Sequence, residues 1–163
     1  MKTWLKIDRW IDIVQTWICI VLFVLILFFG SIQIFGRYIF GVSTPWSEEL
    51  MRFSAIWLTM VGSALTIRVD GHVSVDILLG FMKNNKARSV LFTAARLICV
   101  VFLIVYLPAS IQLVMRSGNS MAASLPISYV YIYSAVPVGI VMMILSYITT
   151  IPAYARQYAK GEK

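Results

Sequence analysis

Four long apolar stretches, separated by short polar connections, make up the hydrophobic pattern of this chain. The charge-free windows run over residues 13–36, 53–67, 97–115 and 117–155. A helix of about 20 mostly apolar residues crosses the hydrocarbon core of a bilayer. The pattern therefore predicts an all-α integral membrane protein with four transmembrane helices, at about residues 12–35, 48–68, 91–114 and 129–153.

Composition agrees with this prediction. Apolar residues make up 60% of the chain and charged residues 13%, and the mean hydropathy is +0.85, whereas soluble domains are about one-quarter charged. The first apolar stretch is longer than the roughly 7–15 residues of a signal-peptide core, so it is predicted to remain as a span. The connection at about residues 69–90 is too short for a soluble domain. Residues 1–163 are thus predicted to form a single membrane domain.

One part of that connection, at about residues 74–84, has the pattern of a short amphipathic helix. Its apolar residues fill one broad arc of a helical projection, while Asp76, Gly80 and Lys83 share the other. Such a segment is typical of a helix that lies along a membrane surface. It is predicted to lie between the second and third spans, at the inner interface.

The basic residues are distributed unevenly between the connections. With both termini in the cytoplasm, ten of the fourteen basic residues lie inside, and the other four are Arg37, Arg52, Arg96 and Arg116. The positive-inside rule therefore predicts that both termini are cytoplasmic. The net charge of +7 then reflects topology, and no nucleic-acid partner is expected.

A charge cluster lies where the second span begins. Thr44 and Pro45 are a favourable N-cap and first helical residue. Glu48 and Glu49 precede Arg52 by four and three residues, so either carboxylate is within reach of its guanidinium. Arg37, at the end of the first span, is predicted to be the basic partner of the remaining carboxylate. The cluster is therefore interpreted as a paired assembly motif.

Below Arg52, the second span carries a stripe of small residues, which lets another helix approach closely. The stripe consists of Ala55, Thr59, Gly62 or Ser63, and Thr66. Ala135 and Gly139 form a similar small pair in the fourth span, where Pro137 predicts a kink, as Pro108 does in the third. Arg96 is expected to extend towards the inner interface.

The polar residues are compatible with three chemical alternatives to an assembly role, each of which makes a demand on the sequence. An intramembrane enzyme using Glu48, Glu49 and Arg52 would need further groups within hydrogen-bond reach, but the only histidine, His72, is predicted at the opposite membrane face. One interfacial histidine cannot supply two axial haem ligands, and no cofactor or metal is expected. An ion pathway normally has acidic residues near the bilayer midplane, and the four spans have none there. A stand-alone small transporter and an intramembrane enzyme remain the alternatives to an assembly role.

The segment "GRYIFGVSTPWSEELMRFSAIWLTMVGSALTIRVDGHVSVDIL" resembles the signature of the small membrane subunit (Q-type) of tripartite ATP-independent periplasmic (TRAP) transporters. An Arg-Tyr ends the first helix, and Trp-x-Glu-Glu-x-x-Arg opens the second. The matching positions are Arg37, Tyr38, Trp46, Glu48, Glu49, Arg52, Gly62, Arg68, Gly71, His72, Val75 and Asp76. The "VPVG" of the fourth span is similar to the family's Pro-x-Gly, and the resemblance extends over essentially the whole chain.

This resemblance implies a non-enzymatic role in a bacterial inner membrane. In such systems, a periplasmic substrate-binding protein captures an organic acid, such as a sialic acid or a C4-dicarboxylate. A large membrane subunit then moves the acid across the membrane, driven by a sodium gradient. The resemblance implies that the small subunit is an obligate heterodimeric partner and scaffold of the large one. It also implies that it contributes to the surface on which the binding protein docks.

Overall fold

The computed structural model describes residues 2–68 and 85–160, with side chains described for residues 9–68 and 90–150. The described chain is all-helical apart from one isolated bridge between Met121 and Ser128. Four of its segments are long and apolar enough to cross a membrane, which confirms the predicted fold class. The helices are α1 (Lys2–Tyr38), α2 (Pro45–Arg68), α3 (Asn85–Arg116), α4 (Tyr129–Tyr133) and α5 (Ala135–Lys160).

A tight turn joins α1 to α2. Gly41 has a φ of 64°, a left-handed conformation that residues with a Cβ rarely adopt. The Val42 N–H donates to the Gly36 carbonyl over 2.9 Å, which folds the chain back towards α1. Pro45 opens α2, in agreement with the sequence prediction, because its fixed φ suits a first helical residue and no helical N–H is needed there.

The fourth span is broken near its start. The helix α4 ends at Tyr133 and α5 begins at Ala135. Pro137 accounts for this break, since its ring clashes with the carbonyl four residues earlier, which belongs to Tyr133, and it has no N–H to donate. The expected irregularity is therefore a separate five-residue helix rather than a kink in one continuous helix.

The helices pack mainly in the order α1, α2, α5, α3, so that α2 and α5 are the inner pair. The two helices of that pair are close together at Gly139, because a Cβ added there would lie 2.7 Å from the Met60 Cβ. Ala135, one turn earlier, is fully buried. The small pair predicted in the fourth span thus lies at a helix–helix contact, where small side chains let two backbones approach closely.

The amphipathic segment predicted at about residues 74–84 lies outside the described residues, as do His72 and Asp76. The amphipathic helix and the cytoplasmic location of the termini therefore remain predictions.

We expect an impermeant thiol reagent to label intact cells at only one of three single-cysteine positions, in a background that lacks Cys19 and Cys99. Asn119→Cys lies between α3 and α4 and should be labelled from outside. Thr3→Cys and Gly161→Cys should react only after the cells are permeabilised, because the basic residues hold both termini inside. Labelling of either terminal cysteine in intact cells would contradict the proposed orientation.

Candidate functional site

Glu49 is buried and binds the backbone of a distant loop. Its Oε1 accepts a hydrogen bond from the Ala123 N–H over 2.9 Å, and its Oε2 accepts one from the Ser124 N–H over 3.1 Å. Only 9% of the residue is exposed. A carboxylate that accepts two N–H groups forms strong, charge-assisted hydrogen bonds. Glu49 therefore fixes the loop between α3 and α4, at what we call the outer end of the bundle, where α1 leads into α2.

That loop, residues 117–128, is ordered by its own backbone as well. The Ala122 N–H donates to the Ile127 carbonyl over 2.9 Å, and the Tyr129 N–H donates to the Ser120 carbonyl over 3.0 Å. These bonds form a short hairpin whose tip presents its N–H groups to Glu49. The loop is consequently attached both to the helices it joins and to the start of α2.

Glu48, the neighbour of Glu49, points away from the bundle. Its Oε1 lies 2.9 Å from the Arg52 Nη2, and the two side chains are 49% and 61% exposed. This pair agrees with the sequence prediction. The prediction that Arg37 pairs with the remaining carboxylate is wrong, because Glu49 is directed into the bundle and its oxygens accept the two loop N–H groups. Adjacent glutamates on a helix point about 100° apart, which explains their different partners.

Arg37 and Trp46 lie near this pair at the outer end. Arg37 is exposed at the end of α1, and together with Glu48 it lines a small polar cavity of about 100 Å³. The Trp46 ring packs edge-on against the Phe29 ring of α1, with 6.4 Å between the ring centroids. Trp46 thus packs α2 against α1. The charged groups of Arg37 and Glu48 lie on the surface.

The predicted stripe of small residues lies on the outward side of α2. We call Ala55, Thr59, Gly62 and Thr66 the small-residue face. At about 100° per residue, its centre lies roughly opposite that of the buried positions of α2, which include Val61 and Ala64. A Cβ added at Gly62 would meet no atom within 4 Å. Thr59 and Thr66 are exposed, and Ala55 and Gly62 are partly exposed, so much of this face is open within the described residues.

The hydroxyl groups of this face are satisfied within α2 itself. The Thr59 Oγ1 donates to the Ala55 carbonyl over 2.8 Å, and the Thr66 Oγ1 donates to the Gly62 carbonyl over 2.9 Å. Because these donors already have acceptors, the face can be covered by an apolar helix without leaving unpaired hydroxyl groups. The exposed Glu48–Arg52 pair continues the face to the outer end.

A second polar layer crosses the bundle at the inner end, where α2 ends. The Arg68 Nε donates to the Ser146 Oγ over 3.1 Å, and the Arg96 Nη1 donates to the Thr150 Oγ1 over 2.8 Å. Arg96 also stacks on the Phe92 ring, with its Cζ 4.5 Å from the ring centroid. All of these polar residues are buried. The layer therefore joins α2, α3 and α5.

This layer corrects the expectation for Arg96. Arg96 was expected to extend to the inner interface, but only 4% of it is exposed, and its Nη2 donates to the Ile67 carbonyl of α2 over 3.4 Å. A guanidinium has five donors in a planar fork, which suits contact with several helices at once. Arg96 thus points into the bundle.

Sequence reasoning missed several other buried polar residues of the spans, among them Gln15, Ser146 and Thr150. Gln15 of α1 is 1% exposed, and its amide atoms form no hydrogen bond with the described residues. Ser146 and Thr150 are separated by one helical turn, a spacing that puts two hydroxyls on one face. Together with Arg96 in the neighbouring span, this spacing could have predicted a buried hydrogen bond between the two helices.

Within the described residues, the buried charges of this protein hold its own helices and loop. These features define a polytopic α-helical membrane protein. A family model described as "Tripartite ATP-independent periplasmic transporters, DctQ component" matches residues 29–155. The chain belongs to this family, whose members are transporter components rather than enzymes.

Three proteins are similar to this chain in sequence. The sialic acid TRAP transporter permease protein SiaT of Haemophilus influenzae (strain 86-028NP) is 26% identical over 140 residues, which is 86% of this chain and 23% of that protein. The C4-dicarboxylate TRAP transporter small permease protein DctQ of Rhodobacter capsulatus is 25% identical over 71% of this chain and 52% of its own length. A putative TRAP transporter small permease protein of Haemophilus influenzae (strain ATCC 51907 / DSM 11121 / KW20 / Rd) is 24% identical over 84% and 82%.

Proposed function

We propose that this chain is the small permease subunit of a sodium-driven TRAP transporter in a bacterial inner membrane, and that it acts as a scaffold for the large membrane subunit. The family supports the assignment to a transporter component. The named relatives are proteins for sialic acid and C4-dicarboxylates, so organic acids of these classes are the proposed substrates. The chain spans 23% of the SiaT protein and 52% of the DctQ protein, so the activity of a whole transporter is proposed only together with a large subunit.

The observation that supports the scaffold role is the small-residue face of α2. Inside a bilayer, lipid tails are as apolar as leucine, so helices associate through close packing rather than through a water-driven hydrophobic effect. Gly62 and its neighbours present such a packing face, and a Cβ added at Gly62 would meet no described atom within 4 Å. We propose that a helix of the large subunit packs there, with the Glu48–Arg52 pair at the outer edge of the interface.

The geometry is less suited to the two alternatives. An acid–base site would need Glu48 and Glu49 to act on one group, but Glu48 faces outward to Arg52 while Glu49 is bound to loop N–H groups. A stand-alone transporter normally has ionisable groups along its pathway. In the described spans, the buried arginines instead hydrogen-bond to neighbouring helices at one end.

The remaining partner is the periplasmic substrate-binding protein. We propose that the outer end of the bundle, including the loop that Glu49 holds, contributes to its docking surface. A loop whose conformation is set by a buried carboxylate presents a defined surface, and binding surfaces are commonly formed by loops on a rigid support.

Reconstitution in liposomes tests the proposed division of labour. With binding protein, organic acid and a sodium gradient present, we expect this chain alone to produce no uptake, because its described spans offer no ionisable pathway. Adding the large subunit should produce uptake that depends on both chains. Uptake by this chain alone, or full uptake by the large subunit without it, would contradict the proposal.

A further inference from the structure

Five charged residues lie at the outer end of the bundle, and both acidic ones are already bound within the chain. Glu48 forms its ion pair with Arg52, and Glu49 accepts two N–H groups of the loop between α3 and α4. The two connections at this end, and the helix ends that flank them, contain no other acidic residue. Both carboxylates of the outer end thus have partners other than its remaining basic residues, Arg37 and Arg116.

Arg37 and Arg116 are exposed charges at two edges of the outer end. Arg37 is the penultimate residue of α1 and Arg116 is the last residue of α3, and both are exposed. Among the described residues, neither takes part in an ion pair. Arg37 lines a cavity with Glu48, but the Glu48 carboxylate is hydrogen-bonded to Arg52. Because α2 and α5 lie between α1 and α3 in the packing order, the two exposed guanidinium groups are at separate places on this surface.

Large apolar side chains next to each of these arginines are exposed as well. Tyr38 and Phe40 follow Arg37 and are 81% and 73% exposed, and Met115, which precedes Arg116, is 76% exposed. Arginine, methionine and the aromatic residues are the types enriched in protein–protein interfaces. Each edge of the outer end thus combines an exposed positive charge with apolar side chains that can exclude water around it.

The loop that follows Arg116 favours a protein over anionic lipid headgroups as the partner of these groups. Its residue Met121 is 71% exposed, and the loop is held at the end of the bundle by Glu49 and by its own backbone hydrogen bonds. Loops on a rigid support commonly form binding surfaces, whereas lipid headgroups are mobile and recognise no particular shape. Two separate charges on a rigid surface also define an orientation, which a folded partner can match.

On the basis of the docking role proposed above, on which this inference rests, we propose that Arg37 and Arg116 each pair with a carboxylate of the periplasmic substrate-binding protein. The docking face of that protein therefore carries acidic side chains at two separate places. Opposite charges on two protein surfaces steer the partners together and raise mainly the rate constant of association. The separation of the two arginines also fixes the orientation in which the binding protein meets the bundle.

The kinetics of docking test this proposal. The complex of this chain with the large subunit is placed in nanodiscs of phosphatidylcholine alone, and association of the cognate binding protein is followed by surface plasmon resonance at low and at high salt. We expect the association rate constant to fall about tenfold as salt is raised, because screening removes the steering. Arg37→Gln with Arg116→Gln should lower the low-salt rate constant about tenfold and remove most of its salt dependence. Arg37→Lys with Arg116→Lys, which keeps both charges, should associate nearly as fast as the unsubstituted complex.

Lys6→Gln with Arg9→Gln is the matched control, because it removes two positive charges from the opposite end of α1 and should leave the rate constant unchanged. Docking that is insensitive to salt and to the two outer arginines would overturn this proposal while leaving the docking role intact. Equal docking to the large subunit without this chain would instead contradict the docking role itself. An effect of Arg37→Gln with Arg116→Gln that is seen only when phosphatidylglycerol is added to the nanodiscs would show that the arginines bind lipid, which would also overturn the proposal.

Discussion

Glu49→Ala is expected to lower the free energy of unfolding of this subunit by about 3–6 kcal/mol, because each hydrogen bond to a charged group contributes about 1.5–3 kcal/mol. The substitution removes the acceptor of both the Ala123 and the Ser124 N–H groups. Glu49→Gln should have a smaller effect, since an amide oxygen can accept one N–H while its NH2 group faces the other donor. Unfolding of the purified subunit in detergent, followed by tryptophan fluorescence, measures the difference.

Glu48→Ala is the matched control, one residue away on the same helix. Its carboxylate forms an exposed pair with Arg52, and exposed pairs contribute about 0–1 kcal/mol. The subunit should therefore unfold almost as the unsubstituted protein does. If the two alanine substitutions destabilise the subunit equally, Glu49 does not hold the loop in the way that the structure shows.

Gly139→Leu and Gly62→Leu are expected to fail at different stages. A Cβ at Gly139 would lie 2.7 Å from the Met60 Cβ, so α2 and α5 must separate. Overpacking of this kind destabilises by about 1–3 kcal/mol or more, and we expect little folded subunit. A Cβ at Gly62 would meet no atom within 4 Å, so we expect the isolated Gly62→Leu subunit to fold normally. The amount of this variant that co-purifies with the large subunit should nevertheless fall strongly, because the added side chain occupies the face proposed for that partner.

The measurement compares two yields for each variant, the monodisperse subunit alone and the complex captured through a tag on the large subunit. Gly62→Ala is a conservative control, which should preserve both yields because alanine is still small enough for close packing. Normal complex formation by Gly62→Leu would show that the large subunit does not pack on the small-residue face.

Periodicity and charge spacing predicted the fold class and one ion pair. The four spans were visible because each is a long charge-free window, and Glu48 and Arg52 were paired because four residues make one helical turn. The partner of Glu49 could not be predicted in this way. It consists of two backbone N–H groups more than 70 residues away. Every residue type except proline supplies such a group, so the residue types in the sequence do not reveal which ones are used.

Arg96 illustrates a second limit of the sequence. A guanidinium inside a span can either extend to the interface or be satisfied by neighbouring helices, and its position along the helix is the same in both cases. The choice depends on whether hydroxyls lie at the same depth on another helix. Thr150 does so, but its register against Arg96 depends on the packing of α3 on α5, which hydrophobic periodicity does not specify.

The packing order of the helices has a consequence for biosynthesis. Two helical hairpins, α1 with α2 and α3 with α5, meet mainly along the α2–α5 contact. The first hairpin is complete in the chain long before Thr150 has been synthesised, so the two halves can each insert into the membrane and join afterwards. Glu49 closes that contact at one end and Arg68 at the other, and the hydrogen bonds described above for each are with residues of the second half. We therefore expect the two halves to insert separately, and their contact to be closed last by one acid and one base.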